Sequence, residues 1–378
     1  MKRSLNAICL PKGFKAQACG CGLKKNKRLD LALIFSEVPA VSCGMFTRNT
    51  FAAAPVIVSK GHLGTAQAQA IVANSGNANC YTGKQGLQVA RKTARHCAKL
   101  LGIKDTLVLV ASTGIIGRQV DFSKIQRALP LLSSSLQRKA GQKVSRAIMT
   151  TDTQPKEAAA CFKVGKALVT IGAVAKGAGM IAPDMATMLC FITTDAAIQH
   201  AALKTALREA VENSFNLITV DGCMSTNDSV LILANGLAEN KVITKQNKGY
   251  RHFKSALKKV CLALAKMIVE DAEGATKFIT IVVSGAKHNA EAKKAALAIA
   301  NSNLFKTAVY GGGTNWGRII AAIGASGITV KSKVTLSCSS FKKRHVMVKV
   351  DLACGAGKAV VYTSDLTPEY VKINAEYN

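Results

Sequence analysis

Short apolar runs rich in Val, Ile and Leu recur along the whole chain, and between them lie stretches in which apolar residues return every three or four positions. That alternation leaves few architectures open. An all-helical bundle has no use for the runs, and an all-strand sandwich has no use for the periodic stretches. Residues 31–35, 55–58, 70–73, 107–110, 167–171, 188–193, 230–233 and 278–283 read as strands. Residues 84–101 place Leu87, Ala90, Ala94, Cys97 and Leu101 on one helical face. Residues 122–148 are mostly helical, with a break expected at Pro130. The stretch 196–215 turns Leu203, Leu207, Ala210, Val211 and Phe215 inward, and 252–270 reads as a largely buried helix. Near the C-terminus Val346, Val348, Val350 and Leu352 alternate with Met347, Lys349 and Asp351, the pattern of a half-buried strand, expected to be antiparallel. The expected fold class is α/β, with mixed layered sheets covered by helices and two halves meeting near residue 187.

Composition narrows the function classes. With 49% hydrophobic residues among 378, a sizeable core can form. No apolar run approaches bilayer-spanning length, and the basic N-terminus lacks the apolar segment of a secretory signal. The 12 cysteines are scattered, mostly within apolar segments, as with Cys97, Cys190 and Cys261. Cys19 and Cys21 are the closest pair, and the six histidines are dispersed, so no metal is expected. Buried free thiols fit a reducing compartment, and a cytoplasmic location is expected. The formal net charge of +30 raises a rival of another class, a nucleic-acid binder. The densest basic runs, 24–28 and 342–344, have no interleaved aromatics for base stacking, so a solvated basic surface is expected and nucleic acid is not.

The stretch KGAGMIAPDMATML, residues 176–189, sets a hydroxyl where a glycine-rich loop becomes an apolar run. A threonine hydroxyl is a weak nucleophile without a base. Cutting the bond between Ala186 and Thr187 would supply one, because the new α-amine, with a pKa of about 7.7–8.0, would sit beside its own hydroxyl. Gly177 and Gly179 permit unusual backbone angles, Pro183 restricts the loop, and the small Ala186 lets the hydroxyl approach the preceding carbonyl. On these residues alone, an ordinary β-branched residue opening a strand is the better explanation of Thr187.

The segment AKGAGMIAPDMATMLCFITTDA, 175–196, resembles the self-cleavage segment of the ArgJ family, the glutamate N-acetyltransferases or ornithine acetyltransferases of arginine biosynthesis. Further strings keep the family's order: PKGF at 11–14, DLALIFSEVPA at 30–40, AAPVIVSK at 53–60, NSGNAN at 74–79, ASTGIIG at 111–117, MTTDTQPK at 149–156, STNDSVLILANG at 225–236, EDAEGATKF at 270–278, NWGRIIAAIG at 315–324 and YVKINAEY at 370–377. The match begins close to the first residue, which leaves little room for a presequence.

The resemblance implies an autoprocessed fold of the N-terminal-nucleophile type, of the ArgJ and DmpA kind. It implies cleavage into an α chain, 1–186, and a β chain, 187–378, which stay associated and assemble as α2β2. It implies that acetyl passes from N2-acetylornithine to Thr187 and then to glutamate, with no cofactor; some members also take acetyl from acetyl-CoA. Thr113 and Gly114 match the family's oxyanion hole. Thr150, Lys176, Thr187, Glu273 and Asn374 match substrate-binding positions, Lys176 for a carboxylate and Glu273 for the amine of ornithine. Three departures stand out. Cys223-Met224 replaces a usual Asp-Thr, Gly313-Thr314 replaces a usual Asp-Pro, and the chain stops at Asn378, one residue short of a further Ser or Thr contact. Two rivals share the resemblance: an amidase or aminopeptidase passing the acyl group to water, and a catalytically impaired relative.

Overall fold

A computed structural model describes residues 6–25, 28–182, 188–330 and 333–376. Two compact units emerge from the chain's contacts. Unit 1 takes in residues 1–177, 187–214 and 224–264, and unit 2 takes in 178–186, 215–223 and 265–378. This division by contact is a different matter from the expected pair of chains, whose boundary lies outside the described residues.

Unit 1 is built on β1 (Phe14–Cys19), β2 (Leu31–Phe46), α1 (Ala54–His62), β3 (Gln67–Asn74), α2 (Gly83–Leu101), β4 (Val108–Ser112), α3 (Phe122–Ser134), α4 (Gly141–Ala147), β5 (Lys156–Val164), β6 (Ala167–Lys176), β7 (Leu189–Thr194), α5 (His200–Glu212) and β8 (Ser229–Ala234). The helix α6 (Lys248–Glu270) begins in it. The strands form one mixed sheet in the order β4-β3-β2-β8-β7-β6-β5, with β1 paired to β2. Pairs β3–β4 and β7–β8 are parallel, the others antiparallel.

Successive strand residues point to opposite faces, and both faces of this sheet are covered. Leu31 and Leu33 of β2 join Val72, Val108 and Val110 against Val89, Ala94 and Cys97 of α2 and Ile125, Leu129 and Leu132 of α3. Ala32 and Ile34 point the other way, with Phe14, Ile71, Phe191 and Leu231, toward Val144 and Ala147 of α4. Burial on both sides is why β3, β4, β7 and β8 read as unbroken apolar runs. Gly102 ends α2 in the left-handed region at φ 67°, its amide donating to Ala98 and Lys99 oxygens. A Cβ there would meet nothing within 4 Å. Gly102→Ala therefore carries a backbone cost alone, and a stability loss of about 1 kcal/mol in denaturant titration is expected.

Unit 2 carries β9 (Phe278–Ala286), α7 (Asn289–Ala300), α8 (Asn303–Gly311), α9 (Trp316–Ala325), β10 (Thr335–Cys338), β11 (His345–Asp351), β12 (Gly357–Ser364) and α10 (Pro368–Glu376). Its sheet runs β10-β11-β9-β12. One face packs Ile279, Ile281, Val346, Val348 and Val350 against Ala292, Ala296 and Ile299 of α7 and Ile319 and Ile323 of α9. The alternation expected at 346–351 is present, with the valines buried and Met347, Lys349 and Asp351 exposed. Its pairing is only half as expected: β11 is antiparallel to β10 and parallel to β9. The parallel partner is possible because the long α7–α9 segment returns the chain between them. None of the described helices is long and apolar enough to cross a membrane.

Two further expectations need correction. Residues 55–58 form no strand; they open α1. Pro55 sits at the first turn, where its missing N–H costs nothing. Ile57 is 52% exposed between buried Val56 and Val58. A four-residue apolar run cannot by itself distinguish the two periods. Pro130 does not break the helix either; α3 continues through it to Ser134. The inward face Ile125, Leu129, Leu132 keeps its spacing across the proline. Gln126, whose carbonyl loses its helical partner, is exposed to water.

Candidate active site

In unit 1, the loops that follow the parallel strands β3 and β4 lie against each other. Asn77 bridges to Thr113 and to Ile115. The Asn74 side chain accepts from the Ser112 hydroxyl at 2.6 Å and donates to the Asn77 oxygen at 2.9 Å. Asn227 clamps both loops, donating to the oxygens of Ala78 at 2.6 Å and Ser112 at 2.8 Å. Gly114 has φ 128°, and a Cβ would lie 2.4 Å from the carbonyl carbon of Gly76, so only glycine fits. The Thr113 amide is engaged by the Asn74 oxygen at 3.0 Å. Among the described residues, the Thr113 hydroxyl and the Gly114 amide have no hydrogen-bond partner. A side-chain hydroxyl and a backbone amide on a rigid turn are the donors an oxyanion needs.

A second cluster stands at the ends of β6, β7 and β8. Lys176 was expected in the loop; it is the last residue of β6, paired with Leu189, and is only 3% exposed. Its Nζ lies 4.0 Å from Asp152 Oδ2. Asp152 Oδ1 accepts from Lys156 Nζ at 2.7 Å and from the Gly177 amide at 2.7 Å, and Oδ2 accepts from the Thr150 amide at 2.9 Å. Thr150 and Lys176 are thus gathered on one buried carboxylate. Burial alone would raise Asp152, but the Lys156 and Lys176 ammoniums and the Gly177 amide outweigh it and hold the carboxyl well below the usual range. Lys24 adds a third cation. Its Nζ donates to the oxygens of Leu29 at 2.9 Å and Ala147 at 3.2 Å. Burial brings that ammonium down to about 8, with Asp30 opposing the shift and Lys176 among the groups adding to it.

In unit 2, Glu273 follows α6 and is buried, its amide donating to Ala178 oxygen at 3.0 Å. Asn374 of α10 donates from Nδ2 to Glu273 Oε2 at 2.7 Å, so these two predicted residues meet. A Cβ on Gly179 would fall 2.2 Å from that carboxylate, which explains the glycine there better than backbone angle does. Asp221 ties the same loop, accepting from the amides of Met180 at 2.6 Å and Ile181 at 2.9 Å and from the Tyr370 hydroxyl at 3.1 Å.

Ala186 and Thr187 lie outside the described residues. Sequence reasoning missed Asp152, Lys156, Asp221, Asp228 and Tyr370. Asp152 and Lys156 were visible as an acid and a base four residues apart inside the quoted MTTDTQPK string, and Asp228 as a carboxylate one serine before the apolar run 230–234 of β8.

The ArgJ family model matches residues 15–342. The chain is 44% identical to the arginine biosynthesis bifunctional protein ArgJ of Symbiobacterium thermophilum, over 98% of both chains. It is 44% identical to the glutamate N-acetyltransferase of Methanocaldococcus jannaschii, again over 98% of both. Among solved structures it is similar to ornithine acetyltransferase complexed with ornithine from Mycobacterium tuberculosis, at 32% identity and a TM-score of 0.43, over 48% of this chain and 96% of that one.

Proposed function

The chain belongs to the ArgJ family, and from that premise we propose that it is a self-cleaving glutamate N-acetyltransferase, moving acetyl from N2-acetylornithine to L-glutamate. Cleavage before Thr187 gives the chains 1–186 and 187–378, which stay together in an α2β2 assembly in the cytoplasm. The Thr187 oxygen then attacks the acetyl carbonyl while its own α-amine takes the hydroxyl proton. The Thr113 hydroxyl and Gly114 amide stabilise the oxyanion. Collapse breaks the acetyl C–N bond, and the proton held by the α-amine leaves with the ornithine nitrogen. The amine of glutamate attacks the acetyl-threonine ester, and the threonine oxygen departs and is reprotonated. Lys176 holds the α-carboxylate of either amino acid. Glu273, with Asn374, receives the side-chain ammonium of ornithine. Acetyl-CoA is a second acetyl source to be tested beside acetylornithine.

The observation that supports this reading most directly is the pair of donors without partners, the Thr113 hydroxyl and Gly114 amide, on a turn that admits only glycine. Incubation with acetylornithine and glutamate should yield acetylglutamate and ornithine, with no free acetate when glutamate is withheld. Acetate release without glutamate would instead mark an amidase. Glu273→Gln should lower kcat/KM for acetylornithine by roughly tenfold to a hundredfold, the worth of one charge-assisted hydrogen bond. The effect on glutamate as acceptor should be smaller. Steady-state kinetics with each substrate varied in turn will show the asymmetry.

A further inference from the structure

Lys24 belongs to the basic run 24–28, which the sequence presents as solvated surface. Lys25 is exposed as expected, but Lys24 is half-buried and its ammonium turns into unit 1. The loop that carries it is folded around one carboxylate. The buried Asp30 accepts four successive amides, from Cys21 at 2.6 Å, Gly22 at 3.1 Å, Leu23 at 2.7 Å and Lys24 at 2.9 Å. Gly22, at φ 88°, supplies the left-handed backbone that a turn wrapped round an anion needs.

This loop stands against the backbone that supports the Thr113 and Gly114 donors. The Ser75 amide donates to the Asp30 oxygen at 2.9 Å. A Cβ on Gly76 would lie 2.9 Å from Lys24 Cγ and 3.0 Å from the Leu23 oxygen. Gly76 also touches Gly114, whose own Cβ would strike the Gly76 carbonyl carbon. Gly76 therefore carries the contact from Lys24 to the donor turn. The ammonium closes the arrangement. It donates to the Leu29 oxygen at 2.9 Å, across its own loop, and to the Ala147 oxygen at 3.2 Å, at the end of α4. The Ser75 hydroxyl donates to the same Ala147 oxygen. We propose that Lys24 is a positioning residue for acetyl transfer: by clipping loop 21–24 to the end of α4, it holds Gly76 on Gly114 and fixes the direction of the Thr113 and Gly114 donors. The proposal rests on the acetyltransferase reading above. Lys24 acts through the Gly76 backbone and not on the substrate. An oxyanion hole works because its donors are aimed before charge develops, so its support is part of its function.

Lys24→Met keeps an unbranched stem and removes the N–H donors. Its kcat, taken per cleaved chain, should fall by roughly tenfold to a hundredfold, the cost of shifting a reacting-site group by about 1 Å. The ratio kcat/KM should fall equally, because the lost support acts in the transition state. Lys24→Arg restores a cation with N–H donors and should recover most of the rate. A Met variant with lowered Tm but wild-type kcat would mark a mere loop staple and overturn the proposal, leaving the acetyltransferase reading standing. Wild-type enzyme without acetyl exchange would overturn both. A second readout covers a Met variant that fails to fold or to cleave. Burial brings the Lys24 ammonium to about 8, so it loses its charge as pH rises through that value, whereas Arg stays charged. A neutral amine binds the two carbonyls more weakly. The charged groups acting on Lys24 are Arg28 and Asp30 of its own loop, Asp152 ahead of β5 and Lys176 of β6. From α4 it meets the Ala147 backbone, the Lys143 and Arg146 side chains being exposed, and residues 75–77 carry no titratable side chain. Groups common to the two enzymes cancel in a ratio of their rates. The kcat of Lys24→Arg relative to wild type should therefore climb as pH rises through about 8; a ratio that stays level contradicts the positioning role.

Discussion

Thr187→Ala is expected to leave the chain in one piece and without acetyl exchange. A denaturing gel of the wild-type protein should show two bands of similar size, and the variant a single band near 39.7 kDa. The loss of exchange should be on the order of 10⁴-fold or more, because removing the nucleophile of a concerted set abolishes nearly everything the set contributes. The alanine variant cannot form the ester that starts the cut, so no α-amine appears, and without the amine even an added hydroxyl would lack its base. One substitution thus removes nucleophile and base together. Fold stability should change little, since the covered sheet of unit 1 takes its core from Leu31, Ile71, Val110, Phe191 and Leu231.

Lys156→Met is expected to have the largest effect on stability. Lys156 is 1% exposed and bonded to Asp152, itself deeply buried. Methionine fills a similar volume but leaves the carboxylate with Lys176 at 4.0 Å as its remaining ion-pair partner among the described residues. Breaking a buried pair from one side costs about 3–5 kcal/mol, which for a chain of 378 residues corresponds to a fall in Tm of roughly 4–6 °C. The pH dependence has a definite sign. Asp152 is held below its ordinary value in the folded chain, so its stabilisation is present above the unfolded carboxylate pKa of about 3.9 and is lost as pH falls below it. Thermal melts of wild type and variant should differ most near neutral pH and converge in acid.

Much of the fold was legible because buried sheets write themselves plainly. The runs at 70–73, 107–110, 188–193 and 230–233 are strands covered on both faces, and their apolar continuity needs no partner to be recognised. What was hidden depended on tertiary context. β2 extends from Leu31 to Phe46, but its register against β3 shifts between Phe35 and Ala40, where the exposed Glu37 and Pro39 interrupt the pattern. Residues 55–58 have strand-forming side chains, yet a proline that suits a helical first turn and the packing of Val56 and Val58 decide for α1.

The site divided in the same way. Thr113, Gly114, Lys176, Glu273 and Asn374 could be named from matched strings, since each sits in a short stretch with a distinctive order. Asp152, Lys156 and Asp228 could not, because an acid or a lysine in a chain of net charge +30 reads as surface until burial is known. Lys156 and Lys176, two of 51 basic residues, turn out to be among the buried ones.

The central claim is that the chain carries acetyl on the hydroxyl of Thr187 as the first residue of a second polypeptide. Intact-mass spectrometry after incubation with acetylornithine, in the absence of glutamate, tests it directly. The spectrum should contain the 1–186 and 187–378 chains, the second heavier by one acetyl group that maps to Thr187 and disappears when glutamate is added. An unbroken 378-residue chain that still exchanges acetyl groups, or an acetyl group mapped to any other residue, would contradict it.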